Sequence, residues 1–309
     1  MFSPAAAVGG FLGASVAAAL TRGVNRGLYS NEAGQGSAPI AHATSKTENP
    51  IEEGMVSILE PFIDTIVVCT LTGLVILASG VWNQKFENEF ESSAMDYLKG
   101  SYSETSSEED LITLRNYYYE RNENIEFTGE LSVSEGVLTS EDVTLMHNRS
   151  FAEETTYKDR ETNQSFSGFI SVEEGKIINP GDFIIEGKSL LRSADLTGKA
   201  FTKSVFGDYG QYIVAFGLLL FAFSTVIAWS YYGDRATAHL FGEGWILYYR
   251  IVYVGAFFIA AVVDTKIIWD IATVIGPIAT IPNLIALILL RKEIKKIDKE
   301  YDVVKSPHN

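Results

Sequence analysis

Four runs along the chain are long enough and apolar enough to cross a bilayer, which takes roughly 17–25 residues. They cover residues 1–21, 61–82, 212–229 and 271–290, and Asp64 is the single charged side chain among them. A fifth run, 251–263, is short and reaches spanning length only if Arg250 is included. The pattern predicts an α-helical integral membrane protein with about five transmembrane helices.

The stretch between the second and third runs is built differently. Residues 84–205 carry 12 lysines and arginines against 24 acids, a net charge of −12 out of −15 for the whole chain. Short apolar–polar alternations such as 169–172 are separated by turn sequences such as Asn179-Pro180-Gly181-Asp182. This composition predicts a small, mainly β insert. The predicted regions are a membrane region at 1–83, the insert at 84–205, a second membrane region at 206–292 and a basic tail at 293–309.

Basic residues near the ends of the runs predict the topology, because lysine and arginine concentrate on the cytoplasmic side. They fall in three places: the first connector (Arg22, Arg26, Lys46), the loop between the third run and the run 251–263 (Arg235, Arg250) and the tail after residue 290. If all three places are cytoplasmic, the insert is extracytoplasmic and the C-terminus is cytoplasmic. The expected location is the plasma (inner) membrane, crossed several times.

This topology puts the N-terminus on the outer face, where it enters a helix at once. That arrangement favours interpreting the chain as the C-terminal half of a longer transporter, either cut or separately encoded. A natural five-helix protein is the alternative.

Several classes of function are disfavoured by composition. A strongly acidic chain lacks the basic footprint of a nucleic-acid-binding protein. The four histidines are scattered without metal-ligand spacing, and Cys69 has no cysteine to pair with. No spacing of a nucleophile and base, or of paired carboxylates, is apparent, so we do not expect an enzyme.

Polar and glycine positions inside the runs are the candidates for chemistry. Gly9 and Gly10 could break the first helix and free backbone groups for an ion or a carboxylate, or could allow close helix packing. Asp64 is an intramembrane carboxylate, which by default suggests function. It could equally bind the glycine-rich connector, Arg22 or Arg26.

The third run contains adjacent hydroxyls and an indole. Ser224 and Thr225 could bond back to their own helix, or could offer oxygen ligands to sodium. Trp229 lies one turn beyond Thr225 on the same helix face and could wall a small apolar pocket. In the last run, Pro277 and Pro282 predict kinks, and Asn283 is a buried amide that needs partners.

Four ordered blocks of sequence resemble one family, the sodium:alanine (amino acid:cation) symporters. They are RGLYSNEAGQGSAP at 26–39, FIDT at 62–65 with Cys69-Thr70, WSYYG at 229–233 with LFG at 240–242, and IPNLIAL at 281–287. The acidic insert is not part of the common core of that family.

The resemblance implies a leucine-transporter-like architecture of two inverted five-helix repeats, of which this chain would be the second. It implies sodium as the coupling ion, bound by Ser224 and Thr225, and a small neutral amino acid held by Gly9, Gly10 and, more weakly, Phe2, beside the pocket wall already suggested for Trp229. The family's first broken helix is absent from these 309 residues. The implied partners are therefore the lipid bilayer and a missing N-terminal half.

The expected function is sodium-coupled symport of amino acids of the alanine/glycine class by alternating access. We expect no transport by this polypeptide alone. The stretch 22–38 is predicted to be a glycine-broken connector on the cytoplasmic side, with Asn31, Glu32, Gly34 and Gly36 as an inner gate and Asp64 as a partner. The alternative is a membrane-anchored binding or sensory protein that uses the acidic domain. Proton coupling in place of sodium stays open.

Overall fold

The computed structural model describes residues 16–91, 94–104, 108–120, 125–140, 142–263 and 265–305. The chain divides into two compact units, one of residues 1–20 and 73–215 and the other of residues 21–72 and 216–309. Phe2, Gly9, Gly10 and most of the predicted first span lie outside the described residues.

The helices are numbered here along the described chain. They are α1 (Val16–Ser30), α2 (Ala38–His42), α3 (Pro50–Ser79), α4 (Glu108–Glu120), α5 (Ser193–Thr202), α6 (Gly210–Phe241), α7 (Ile246–Val262) and α8 (Thr265–Lys305). Helix α3 contains a π-helical segment, Phe62–Val68, which begins directly after Pro61. Such segments are rare in proteins, and those that occur often lie at functional sites.

Four helical stretches among the described residues are long and apolar enough to cross a membrane. They are Pro50–Ser79, Gly207–Phe241, Glu243–Val262 and Ile271–Ile297. Four of the five predicted runs are thus confirmed as candidate spans. The helices extend past the predicted runs: among them, the run 212–229 continues as helix to Phe241 and the run 251–263 begins as helix at Ile246.

The misplaced boundaries have one physical cause. The runs were ended at polar or charged residues, yet two of the charges between them, Asp234 and Arg250, are bonded to each other in the structure. A charge that is paired does not have to end a span. Both helices therefore extend past these residues.

The predicted connector was also placed too early. Helix α1 runs through Gly23 and Gly27 to Ser30, so the prediction of broken backbone is wrong for residues 22–30. A glycine inside a helix costs about 1 kcal/mol relative to alanine, which a continuous hydrogen-bond ladder tolerates. The chain leaves the helix only at 31–37, where Gly34 and Gly36 have φ of 78° and 80°.

The insert is mainly β, as predicted. Its strands are β1 (Lys85–Glu89), β2 (Met95–Lys99), β3 (Gly129–Ser134), β4 (Val137–Leu138), β5 (Val143–His147), β6 (Ser150–Phe151), β7 (Glu153–Asp159), β8 (Gly168–Glu173), β9 (Lys176–Ile177) and β10 (Phe183–Leu190). They form three sheets with the orders β1-β10-β7, β2-β5-β6 and β4-β3-β8-β9. Alternate residues point inward, and Tyr97, Leu131, Tyr157 and Ile170 are among those that form one buried core.

The first and last strands of the insert pair with each other. They run antiparallel, with Lys85 opposite Leu190 and Glu89 opposite Glu186. The chain therefore enters and leaves the domain at neighbouring positions.

Candidate functional site

The turn that follows α1 is held in a conformation that favours glycine. Glu32 has φ 49°, Gly34 78° and Gly36 80°, all in the left-handed region. The hydroxyl of Ser37, which is almost fully buried, donates a hydrogen bond to Oε2 of Glu32. Residues 31–37, called the connector turn below, are thus closed by their own side chains.

Glu32 ties the connector turn to helix α6. The indole Nε1 of Trp229 donates a hydrogen bond to Oε1 of Glu32 at 2.8 Å. The two carboxylate oxygens therefore accept from different partners, Trp229 and Ser37. The Trp229 ring also meets the Tyr232 ring edge-on, with 6.0 Å between centroids.

Asn31 ties the same turn to the π-helical segment of α3. Its Nδ2 donates to Oγ1 of Thr65 at 2.8 Å and to the carbonyl oxygen of Gly27 at 2.8 Å. Thr65 Oγ1 lies 3.1 Å from Asn31 Oδ1 and can donate in return. Beside this pair, the Ser30 hydroxyl donates to Oδ2 of Asp64 at 3.4 Å. Of the partners expected for Asp64, the structure shows the glycine-rich stretch 22–38, which contacts it through the Ser30 hydroxyl at the end of α1.

Helix α8 supplies the third attachment. Nδ2 of Asn283 donates to the carbonyl oxygen of Gly34 at 3.0 Å. A Cβ atom built on Gly36 would lie 2.8 Å from Cγ and Oδ1 of Asn283, and one on Gly34 would lie 3.1 Å from Cγ2 of Thr280. The glycines thus allow both the backbone conformation and the close approach to α8. Asn283 is half-buried, and its amide finds the partner that the sequence led us to expect.

Helices α6 and α7 are joined by a charged pair of high geometric quality. Arg250 donates through Nε to both carboxylate oxygens of Asp234, at 3.2 and 3.1 Å, and through Nη2 to Oδ2 at 2.6 Å. The Asp234 side chain is buried, and its bonds are of the bidentate type that carboxylates form with arginine. Tyr253 adds a hydrogen bond to the Val226 carbonyl at 3.0 Å.

The predicted sodium ligands are not assembled into a site within the described residues. Ser224 donates to the carbonyl oxygen of Phe221 in its own helix at 2.9 Å, and Thr225 is exposed. This is the back-bonding alternative weighed above. The predicted partners Gly9 and Gly10 lie outside the described residues, so the sodium and substrate assignments stay predictions.

Sequence reasoning placed Trp229 in a substrate pocket and Glu32 in a gate, and missed that they bond to each other. It also missed Ser37 as a partner of Glu32 and Thr65 as a partner of Asn31. One signal was available, because a tryptophan N–H in an apolar helix needs an acceptor. Glu32 is a carboxylate in another of the family-like blocks.

The insert has a polar junction of its own, in which Lys85 Nζ donates to the carbonyl oxygen of Phe151 at 2.7 Å and to Oε1 of Glu153 at 2.6 Å. Tyr117 is buried and donates to Oε1 of Glu126 at 2.8 Å, and burial raises the pKa of its phenol. His147 Nδ1 lies 2.7 Å from Ser189 Oγ, but both side chains are fully buried, which denies a substrate access. Burial, together with the charge of Arg192, lowers the pKa of His147 to about 4. Within the described residues, no three His, Cys, Asp or Glu side chains group as a metal site.

Apolar helices of spanning length that hold a polar, glycine-dependent turn indicate a multi-pass membrane protein. The chain belongs to the sodium:alanine symporter family, whose model matches residues 1–106 and 170–308. The family model leaves out residues 107–169, which contain α4 and β3 to β7.

Individual relatives agree with the family. The chain is 29% identical to an uncharacterized transporter of Haemophilus influenzae, over 97% of this chain and 43% of that protein. It is 27% identical to the sodium/alanine symporter AgcS of Methanococcus maripaludis, over 99% of this chain and 45% of that protein. A shorter match, 47% identical over 25% of this chain and 15% of the relative, is to a probable sodium/glutamine symporter, GlnT, of Bacillus subtilis.

The chain spans less than half the length of the first two of these relatives. No solved structure matches it.

Proposed function

We propose that this chain provides one repeat of a sodium-coupled symporter for small neutral amino acids of the alanine/glycine class. One observation carries the proposal: Glu32 of the connector turn accepts a hydrogen bond from Trp229 of α6. A residue assigned to the substrate pocket is thereby bonded to a residue assigned to the inner gate. Coupling of substrate binding to gate position is what alternating access requires.

The connector turn acts as the inner gate in this proposal. It is attached to α3 through Asn31–Thr65, to α6 through Glu32–Trp229 and to α8 through Gly34–Asn283. Breaking one attachment while the others hold would free that helix to move relative to the other two. Asp64 stabilises the turn through Ser30 when the gate is closed.

The binding sites follow the resemblance. Ser224 and Thr225 supply hydroxyl ligands to sodium, and Gly9, Gly10, Trp229 and Phe2 line the amino-acid pocket. The five helices form the second of two inverted repeats, with the insert outside the cell and the C-terminus in the cytoplasm of a plasma membrane. A polypeptide region equivalent to the rest of the relatives' length supplies the other repeat.

Reconstitution into proteoliposomes tests this proposal. Uptake of labelled alanine and glycine would be compared for the 309-residue chain alone and for the same chain joined behind the preceding part of the Methanococcus relative. We expect uptake driven by a sodium gradient in the joined protein and none in the chain alone. Uptake by the chain alone would refute the need for a second repeat, and uptake indifferent to sodium would refute the coupling ion.

A further inference from the structure

Helix α5 is packed directly against the start of the span Gly207–Phe241. A Cβ atom on Gly210 would lie 2.2 Å from the carbonyl oxygen of Phe201, so this approach requires glycine. Helix α5 also contacts the turn Val81–Asn83, which follows α3. Val81 and Ala200 are both fully buried. The C-terminal end of α5 is therefore held at the level where α3 ends and α6 begins.

The residues that link α5 to the span expose apolar and aromatic side chains. Val205 is 97% exposed, Phe206 52% and Tyr209 77%. Exposed side chains of this kind continue along the span, beginning with Tyr212. Aromatic residues concentrate where a span meets the headgroup layer of a bilayer. This surface is thus continuous with the lipid-facing surface of the span.

Two lysines, one in α5 and one directly after it, lie beside this apolar surface. Lys199 and Lys203 are one turn apart and exposed, and their ammonium groups lie 5.2 and 5.6 Å from the centroid of the Phe86 ring. Lys203 Nζ also donates to Oε1 of Gln84 at 2.7 Å. In the part of the chain that the structure describes, neither lysine forms an ion pair. Four other lysines of the insert do form them: Lys85, Lys158, Lys176 and Lys188.

We propose that α5 and residues 203–209 form a lipid-docking surface that binds anionic phospholipid headgroups. Phe206 and Tyr209 enter the interfacial layer, and Lys199 and Lys203 contact lipid phosphates. A basic pair beside exposed aromatics has the chemistry that peripheral membrane elements use. Two carboxylates, Asp195 and Asp208, lie nearby in the sequence and reduce the attraction without removing it. The surface gives an insert of net charge −12 a site of attachment to a membrane that would otherwise repel it.

Hydrogen–deuterium exchange of the full chain in nanodiscs tests the proposal. Backbone exchange of residues 193–206 would be compared in phosphatidylglycerol-rich and in pure phosphatidylcholine discs, at low and high salt. We expect about tenfold slower exchange in the anionic discs at low salt, and loss of that difference at high salt or in a K199Q/K203Q variant. A K158Q/K188Q variant removes two lysines that are paired on β7 and β10, and should keep the difference.

The wild-type comparison needs no variant, so a folding defect cannot hide the answer. Equal exchange of the wild type in both lipids would overturn the proposal, as would a K158Q/K188Q effect equal to that of K199Q/K203Q. A V205S/F206S variant should speed exchange in both lipids, because apolar insertion does not depend on headgroup charge. If that variant behaves as the wild type in both lipids, the apolar half of the proposal is wrong.

Discussion

The indole Nε1 of Trp229 lies 2.8 Å from Oε1 of Glu32, although the two residues are 197 positions apart in the chain. The other carboxylate oxygen of Glu32 is bonded to Ser37 inside the connector turn. Any movement of α6 at Trp229 therefore pulls on a carboxylate that also closes the turn.

Replacing Glu32 with glutamine should slow the transport cycle more than it weakens substrate binding. An amide forms weaker bonds to Trp229 and Ser37 than a carboxylate, a loss of about 1–2 kcal/mol in the closed gate. In the assembled transporter we expect Vmax of alanine uptake to fall about tenfold while KM changes less than threefold. Glu52→Gln, which removes an exposed carboxylate in the first turn of α3, is the matched control. A larger change in KM than in Vmax would return Glu32 to the substrate site.

Replacing Gly36 with alanine should destabilise the protein by about 1–3 kcal/mol. The new Cβ atom would combine an unfavourable φ of 80° with a 2.8 Å contact to Asn283. Thermal unfolding in detergent measures the loss. Gly27→Ala is the control, because that position is helical and open, and the change should be neutral or slightly stabilising. Equal losses in both variants would contradict the packing of the turn on α8.

Removing one partner of the Asp234–Arg250 pair should be costly. Arg250→Ala leaves the buried Asp234 carboxylate without its three bonds, a loss of about 2–4 kcal/mol. The unfolding temperature should drop clearly, and the double variant Asp234→Asn/Arg250→Gln should recover part of it. Arg235→Gln, whose guanidinium stacks on Tyr231 at 5.2 Å, provides a neighbouring control. A double variant less stable than Arg250→Ala would show that the uncompensated charge is not the cause.

The insert should lose stability as the pH falls below about 6.5. His147 is buried and neutral with a pKa of about 4, whereas the unfolded chain takes up a proton near 6.5. Protons therefore bind the unfolded state preferentially between these values, and this single group should lower the stability by about 2 kcal/mol at pH 5 relative to pH 8.

Urea denaturation of residues 81–206, followed by circular dichroism, would measure this effect. The insert has its own core and closes through the β1–β10 pair, so it can be studied alone. In His147→Asn the side-chain amide can still bond Ser189, and the difference between the two pH values should shrink by the histidine's share. An unchanged pH dependence in that variant would assign the effect to other groups.

The membrane helices were predictable because an uncharged apolar run of 18 or more residues is typical of a transmembrane helix. Helix ends were not, because Asp234 and Arg250 look like two charges in the sequence and behave as one neutral pair in the fold. Gly23 and Gly27 also looked like breaks, yet only Gly34 and Gly36 have the positive φ that glycine allows. These four glycines look the same in the sequence, and only tertiary packing decides which of them adopt a positive φ.

The candidate site shows the same limit. Its residue types could be selected from the sequence, since Asn31, Glu32, Asp64, Trp229 and Asn283 are polar groups at membrane helices. Most of their partners could not, because they lie in segments distant in the chain, as with Asn31–Thr65 and Asn283–Gly34. Side chains that must be satisfied can be identified locally, but what satisfies them is decided by which helices pack together.

The pairing of β1 with β10 has a consequence for evolution and for engineering. With Lys85 opposite Leu190, about a hundred residues intervene without separating the helix ends that flank them. A segment grafted in this way can grow, shrink or diverge with little effect on the spans, since closing a longer loop costs only slightly more entropy. The same junction should accept a short hairpin or a foreign reporter domain. Replacing the native insert by such a hairpin should have little effect on the fold of the membrane region.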